Sequence, residues 1–167
     1  MWKSAGLWIV FLLFTMLAVG SDDKAAAPTP PQITGAKRVF ISNAGQEVNP
    51  RAGTLGHYSG GPDRAYNQFY AAVKDWGKYE IVSVPSEADL VIEISFHQPI
   101  VWGKLVDSGP SDDAYFRLTV IDPKTRTVLW GFTEHVEWAN LQSNRDKNFD
   151  QAMQKLVKDL QGLAARS

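Results

Sequence analysis

Apolar positions along the chain change period several times, and each change marks an element. From Ala5 to Val19 they run almost unbroken behind Met1-Trp2-Lys3, and the run stops at Gly20-Ser21-Asp22-Asp23. One positive charge, an apolar centre of about 15 residues, and small residues at Ala18 and Gly20 make residues 1–20 a secretory signal, with cleavage before Ser21. An uncleaved inner-membrane anchor is the alternative, and it would want a span of about 20 apolar residues. Residues 21–36, with Ala25-Ala26-Ala27-Pro28-Thr29-Pro30-Pro31, show no apolar period and read as an extended Ala/Pro-rich linker. A single domain is expected over residues 37–165.

Within that domain, Arg38 to Ser42 is a short β-rich run ending in Asn43-Ala44-Gly45, which reads as a buried first strand. A glycine-rich connection over residues 44–61 leads to Pro62-Asp63 and a helix. Tyr66, Phe69, Tyr70, Val73 and Trp76 recur at spacings of three and four, and Gly77 supplies the stop. Tyr79 to Val84 reads as a second strand and Pro85-Ser86-Glu87 as a turn. Over Ala88 to Phe96 strict alternation puts Leu90, Ile92, Ile94 and Phe96 on one face and Asp89, Val91, Glu93, Ser95 and His97 on the other.

A hairpin is expected around Asp122-Pro123-Lys124-Thr125-Arg126. Pairing Val120 with Val128, Leu118 with Trp130 and Phe116 with Phe132 gathers the large apolar residues on one face. Tyr115, Arg117, Thr119, Leu129, Thr133, His135 and Glu137 then take the opposite face. A last helix, capped at Asn148, carries the stripe Phe149, Ala152, Met153, Leu156, Leu160 and Leu163. The predicted fold is an α/β (α+β) two-layer sandwich in the order β-α-β-β-β-α: a mixed, mostly antiparallel sheet of about five strands with two helices on one face. Strand order cannot be read from these patterns.

Composition narrows the function classes. Seventeen Lys and Arg against 18 Asp and Glu leave a net charge of -1, without the basic stripe that nucleic acid or an anionic membrane would require. A membrane partner is expected only if the N-terminal segment stays uncleaved. The chain has no cysteine, which removes disulfides, thiolate metal sites, nucleophilic cysteine and lipid attachment through cysteine.

Candidate chemistry is sparse. His97 and His135 share a predicted face with Glu93 and Glu137, yet no spaced ligand motif accompanies them, so no metal is expected. Gly53-Thr54-Leu55-Gly56-His57-Tyr58-Ser59-Gly60-Gly61 precedes a helix but carries no P-loop lysine, and no nucleophile elbow of the form Gly-x-Ser-x-Gly occurs. No catalytic residue and no cofactor are expected. The segment Pro99 to Asp107 holds Ile100, Val101, Trp102, Leu105 and Val106, unusually apolar for a connection. It is either a strand extension folded back over the sheet or a tip that a partner covers. Trp102 and Leu105, with Tyr115, Arg117 and Leu129, form the expected binding surface, and a loop site at His57 and Tyr58 is the alternative.

The strand Ser86-Glu87-Ala88-Asp89-Leu90-Val91-Ile92-Glu93-Ile94, the hairpin Asp122-Pro123-Lys124-Thr125-Arg126-Thr127-Val128-Leu129-Trp130 and the amphipathic C-terminal helix resemble a group of bacterial exported and lipoprotein-like domains of unknown function. They also resemble the N-terminal domain of the translocation protein TolB. The resemblance implies a periplasmic or secreted envelope domain working through unidentified envelope proteins, and it transfers no active site. The lipidation cysteine common in that group is missing here. The expected role is a non-enzymatic protein-protein interaction module of the bacterial cell envelope. The alternative is a small-ligand-binding protein or enzyme using the loop 44–61.

Overall fold

The computed structural model describes residues 27–48, 58–101 and 111–166. The N-terminal apolar segment, His57 with most of the glycine-rich loop, and Trp102 and Leu105 lie outside the described residues. The elements are α1 (Pro31–Gly35), β1 (Arg38–Val48), α2 (Arg64–Trp76), β2 (Glu80–Ile81), β3 (Leu90–Gln98), β4 (Ile100–Val101), β5 (Ser111–Asp112), β6 (Tyr115–Asp122), β7 (Thr127–His135) and α3 (Gln142–Ala164).

Five strands form one sheet in the order β2-β1-β3-β6-β7, and β4 pairs with β5. The long strand β1 runs parallel to both β2 and β3, whereas β3, β6 and β7 are antiparallel. Alternation along β3 is complete: every second residue from Leu90 to Gln98 is buried. On that inner face Ile92, Ile94, Phe96, Phe116 and Leu118 meet Phe69 and Val73 of α2 and Phe149, Leu156 and Leu160 of α3. Phe96, Phe116 and Phe149 form a ring cluster with centroids 4.7 to 5.2 Å apart. The architecture is the expected two-layer sandwich with both long helices on one face.

Several boundaries differ from the sequence expectation, each for a local reason. The linker expected through residue 36 gives way at Pro31–Gly35, where a helical turn seats Ile33 in the core at 0% exposure. One fully buried isoleucine contributes about 2 kcal/mol, enough to offset the ordering of one or two residues. Strand β1 does not stop at Asn43-Ala44-Gly45 but passes through an irregularity there. The Asn43 side chain accepts the Gly45 N–H at 2.9 Å, and Gly45 takes φ 85°. Asp63 holds Asn43 Nδ2 at 3.0 Å instead of capping α2, and Gly77 closes that helix in the left-handed conformation with its N–H on the Val73 carbonyl. The second strand shrinks to Glu80–Ile81 ahead of a 3₁₀ turn at Pro85–Glu87. The final helix starts at Gln142, not at Asn148. Asn148 lies inside it and donates to the Glu137 carbonyl at 2.8 Å, while Arg145 donates to the carbonyls of Ala139 and Asn140.

The hairpin register is two residues from the expected one: Val120 pairs with Trp130, Leu118 with Phe132 and Phe116 with Glu134. The turn itself pairs Asp122 with Thr127. Asp122 Oδ1 accepts the Lys124 N–H at 2.8 Å, its carbonyl accepts the Arg126 N–H, and Arg126 sits at φ 57°. Continued unbroken, that register would turn Trp130 outward, because a one-residue slip exchanges the faces. A bulge between Val120 and Ile121 leaves Leu129 as the extra residue and restores the parity. The two offsets together preserve the shared apolar face while moving each partner.

Candidate interaction face and cavity

The helices leave one side of the sheet uncovered by any described element. Register assigns its rows directly. Phe40, Val91, Ile121 and Val128 stand in line across β1, β3, β6 and β7, with Val128 60% exposed. Ser42, Glu93, Thr119 and Gly131 form the next row, and Ser95, Arg117 and Thr133 the one after it. Arg117 is exposed and has no ion pair among the described residues.

The last row is built from rings. Tyr115 stacks on His97 with centroids 4.9 Å apart and planes at 14°, and its other neighbour is His135 at 5.7 Å. Each imidazole has its own carboxylate: Nδ1 of His97 lies 3.0 Å from Glu47 and Nδ1 of His135 lies 2.9 Å from Asp113. A carboxylate only accepts, so Nδ1 of His97 carries a proton. Its Nε2, 2.9 Å from Ser95 Oγ, is then the acceptor of the serine hydroxyl in the neutral ring. The Tyr115 ring separates the two imidazoles, which therefore cannot converge on one metal ion. Among the described residues no group of three or more His, Cys, Asp or Glu could hold one. Flat ring faces beside a free guanidinium and an apolar row are the chemistry of a contact surface.

A second concavity opens at the end of the sandwich near the start of α2. It measures about 280 Å³ and is lined by Gln46, Tyr58, Arg64, Phe96, Gln98 and Phe149 among others. Tyr58 packs edge-on against Phe96 at 5.3 Å and against Phe149 at 5.4 Å. Arg64 spans to α3, donating to Asp146 at 2.6 Å and Asp150 at 2.7 Å, with its guanidinium 4.2 Å above the Phe149 ring. Burial alone would push the Asp146 carboxyl up. The Ser59 N–H and the Arg64 guanidinium outweigh it and hold that carboxyl below the ordinary aspartate value. Arg64 is thus committed to joining the helices.

Of the five residues expected to form the binding surface, Tyr115 and Arg117 lie on the uncovered face. Leu129 does not: as the extra residue of the bulge it is half-buried and packs against the core. Trp102 and Leu105 lie outside the described residues, though β4 and β5 pair Ile100 with Asp112 and Val101 with Ser111 as arms leading to them. Tyr58 lines the cavity, and His57 lies outside the described residues. Sequence reasoning placed His97 and His135 on one face but missed their stacking on Tyr115. It also missed Glu47, because β1 was expected to end at Ser42. Among the described residues no helix is long and apolar enough to cross a membrane.

No protein-family model matches this chain, and no curated protein matches it either. Solved structures with a similar arrangement include several bacterial proteins. One is a neuraminyllactose-binding hemagglutinin homologue from Helicobacter pylori, with 14% identity, 79% of this chain and 88% of that one covered, and a TM-score of 0.49. A PelC variant dodecamer from Paraburkholderia phytofirmans shares 19% identity over 80% of this chain and 91% of its own, with a TM-score of 0.48. A DUF330 protein from Xanthomonas campestris shares 16% identity over 75% and 81%, with a TM-score of 0.45. Bacterial lipoproteins are among the others. At these scores the likenesses assign neither a family nor an activity.

Proposed function

We propose that this protein is an exported bacterial envelope domain that works without catalysis, by docking another protein on the uncovered face of its sheet. The observation that carries the reading is the row Glu47-His97-Tyr115-His135-Asp113 beside exposed Arg117 on a face against which no described element packs. Tyrosine and arginine, with tryptophan, are enriched among the residues that carry most of the binding energy at protein interfaces. The signal-like segment Ala5 to Val19 supports an address beyond the cytoplasm, and the TolB-like wording of the hairpin fits an envelope role. Tagged protein recovered from a bacterial envelope tests this. Wild type should co-purify a defined partner, and Tyr115→Ala combined with Arg117→Glu should lose it while still unfolding cooperatively; equal recovery from both would count against the reading. Trp102→Ala extends the test to the apolar segment that follows β4 in the sequence.

The cavity beside Tyr58 favours a second reading, a small-ligand site with an aromatic floor and the amides of Gln46 and Gln98 at its wall. A specific small molecule should then raise the melting temperature, an effect that Gln46→Leu diminishes.

A further inference from the structure

We propose that the protein forms a two-fold symmetric dimer through antiparallel pairing of β7 with the β7 of a second copy, centred on Thr133. The proposal is independent of what docks on the uncovered face. The Val136 N–H donates to the Ala114 carbonyl at 2.8 Å, so Ala114 and Val136 are a hydrogen-bonded pair. In an antiparallel ladder such pairs alternate, which gives the bonds to Phe116/Glu134, Leu118/Phe132 and Val120/Trp130. The backbone groups of Gly131, Thr133 and His135 therefore point away from β6, and among the described residues β7 is the last strand of the sheet.

Sheet edges are usually blunted by brevity, proline, lysine or a bulge. The far edge meets that rule, since β2 spans only Glu80–Ile81 and Pro85 follows. The β7 edge is nine residues long, contains neither lysine nor proline, and has its bulge at Leu129, outside the straight run Gly131 to His135. With one long edge open among the described strands, pairing of that edge with itself is isologous, and it closes at two copies. The sequence suits self-pairing. Centred on Thr133, the pairing sets Thr133 against itself, Gly131 against His135 and Phe132 against Glu134, with no like charges opposed. It uses all three outward-facing residues and covers the half-buried Phe132 and Trp130 at the edge.

The test measures the mass of the protein exported by a host expressing the full chain, by sedimentation over a wide range of dilution. Wild type should be dimeric and dissociate on dilution. Thr133→Lys, which opposes like charges across the axis, should weaken association by roughly a hundredfold or more; Thr133→Glu, neutralised by Arg117 opposite it on β6, should weaken it less, and mixing the two variants should favour the mixed dimer. Circular dichroism verifies that both fold. Thr133→Cys adds a readout that survives weak association: the native chain has no cysteine, and the paired residues would lie with Cα atoms about 5.5 Å apart, so a short thiol-to-thiol crosslinker should give one crosslinked dimer. A wild type monomeric at every concentration, or a dimer indifferent to Thr133→Lys, overturns the proposal.

Discussion

Two side chains with opposite accounts show how single groups set this protein's stability. Tyr79 is 5% exposed, and its hydroxyl has no hydrogen-bond partner among the described residues; burial pushes its phenol up. An unsatisfied buried hydroxyl is a cost, so Tyr79→Phe should raise unfolding stability by about 1 kcal/mol in denaturant titration, against the usual sign of a core substitution. Asp89 is the converse. Its Oδ2 accepts the N–H groups of Arg38 at 2.9 Å and Lys37 at 3.0 Å, which hold its carboxyl below the ordinary aspartate value and tie the start of β1 to β3. A lowered folded pKa contributes stability above the unfolded value and loses it as pH falls through the folded one. Wild type should therefore exceed Asp89→Asn in stability above about pH 5, and the difference should vanish as pH drops below about 4.

Elements show where sequence patterns succeed and where they stop. The period of two from Leu90 to Phe96 and the helical stripe from Phe149 to Leu163 are strong because a single buried face dictates every position, and both appear as read. Helix α1 was illegible because Pro-Gln-Ile-Thr-Gly has no period at all; a lone Ile33 reveals its burial only once the core around it exists. Ile33→Ala should cost about 2–4 kcal/mol in equilibrium unfolding, whereas Pro28→Ala, at an exposed position, should leave the midpoint unchanged. The bulge at Leu129 is invisible for a different reason: a turn offset of one residue and a compensating bulge produce the same face pattern as neither. Deleting Leu129 removes the extra residue itself and makes Ile121–Val128 and Val120–Trp130 consecutive pairs of a regular ladder. It should keep Trp130 and Phe132 on the inner face and leave a cooperatively folded protein, whereas deleting Gly131, beyond the bulge, should turn Phe132 to the outer face and lower the melting temperature sharply, together with new binding of a hydrophobic dye.

For the molecule as a whole, the layers follow from counting faces: the described helices bury one side of the sheet and leave the other. The outer face was legible in part. Alternation placed His97, Tyr115, Arg117 and His135 on it, but their assembly into one row depends on strand order and on the passage of β1 beyond Asn43, which bring Glu47 to His97 and fix Tyr115 between two imidazoles. Neither is encoded in local periodicity. The docking reading rests on that assembled face, and position-specific photocrosslinking in the living envelope tests it most directly. A photoreactive residue at Arg117 should give a discrete crosslinked species, and one at Lys158, exposed on α3, should give none. Crosslinks absent at Arg117, or the same at both positions, would contradict a docking role for this face.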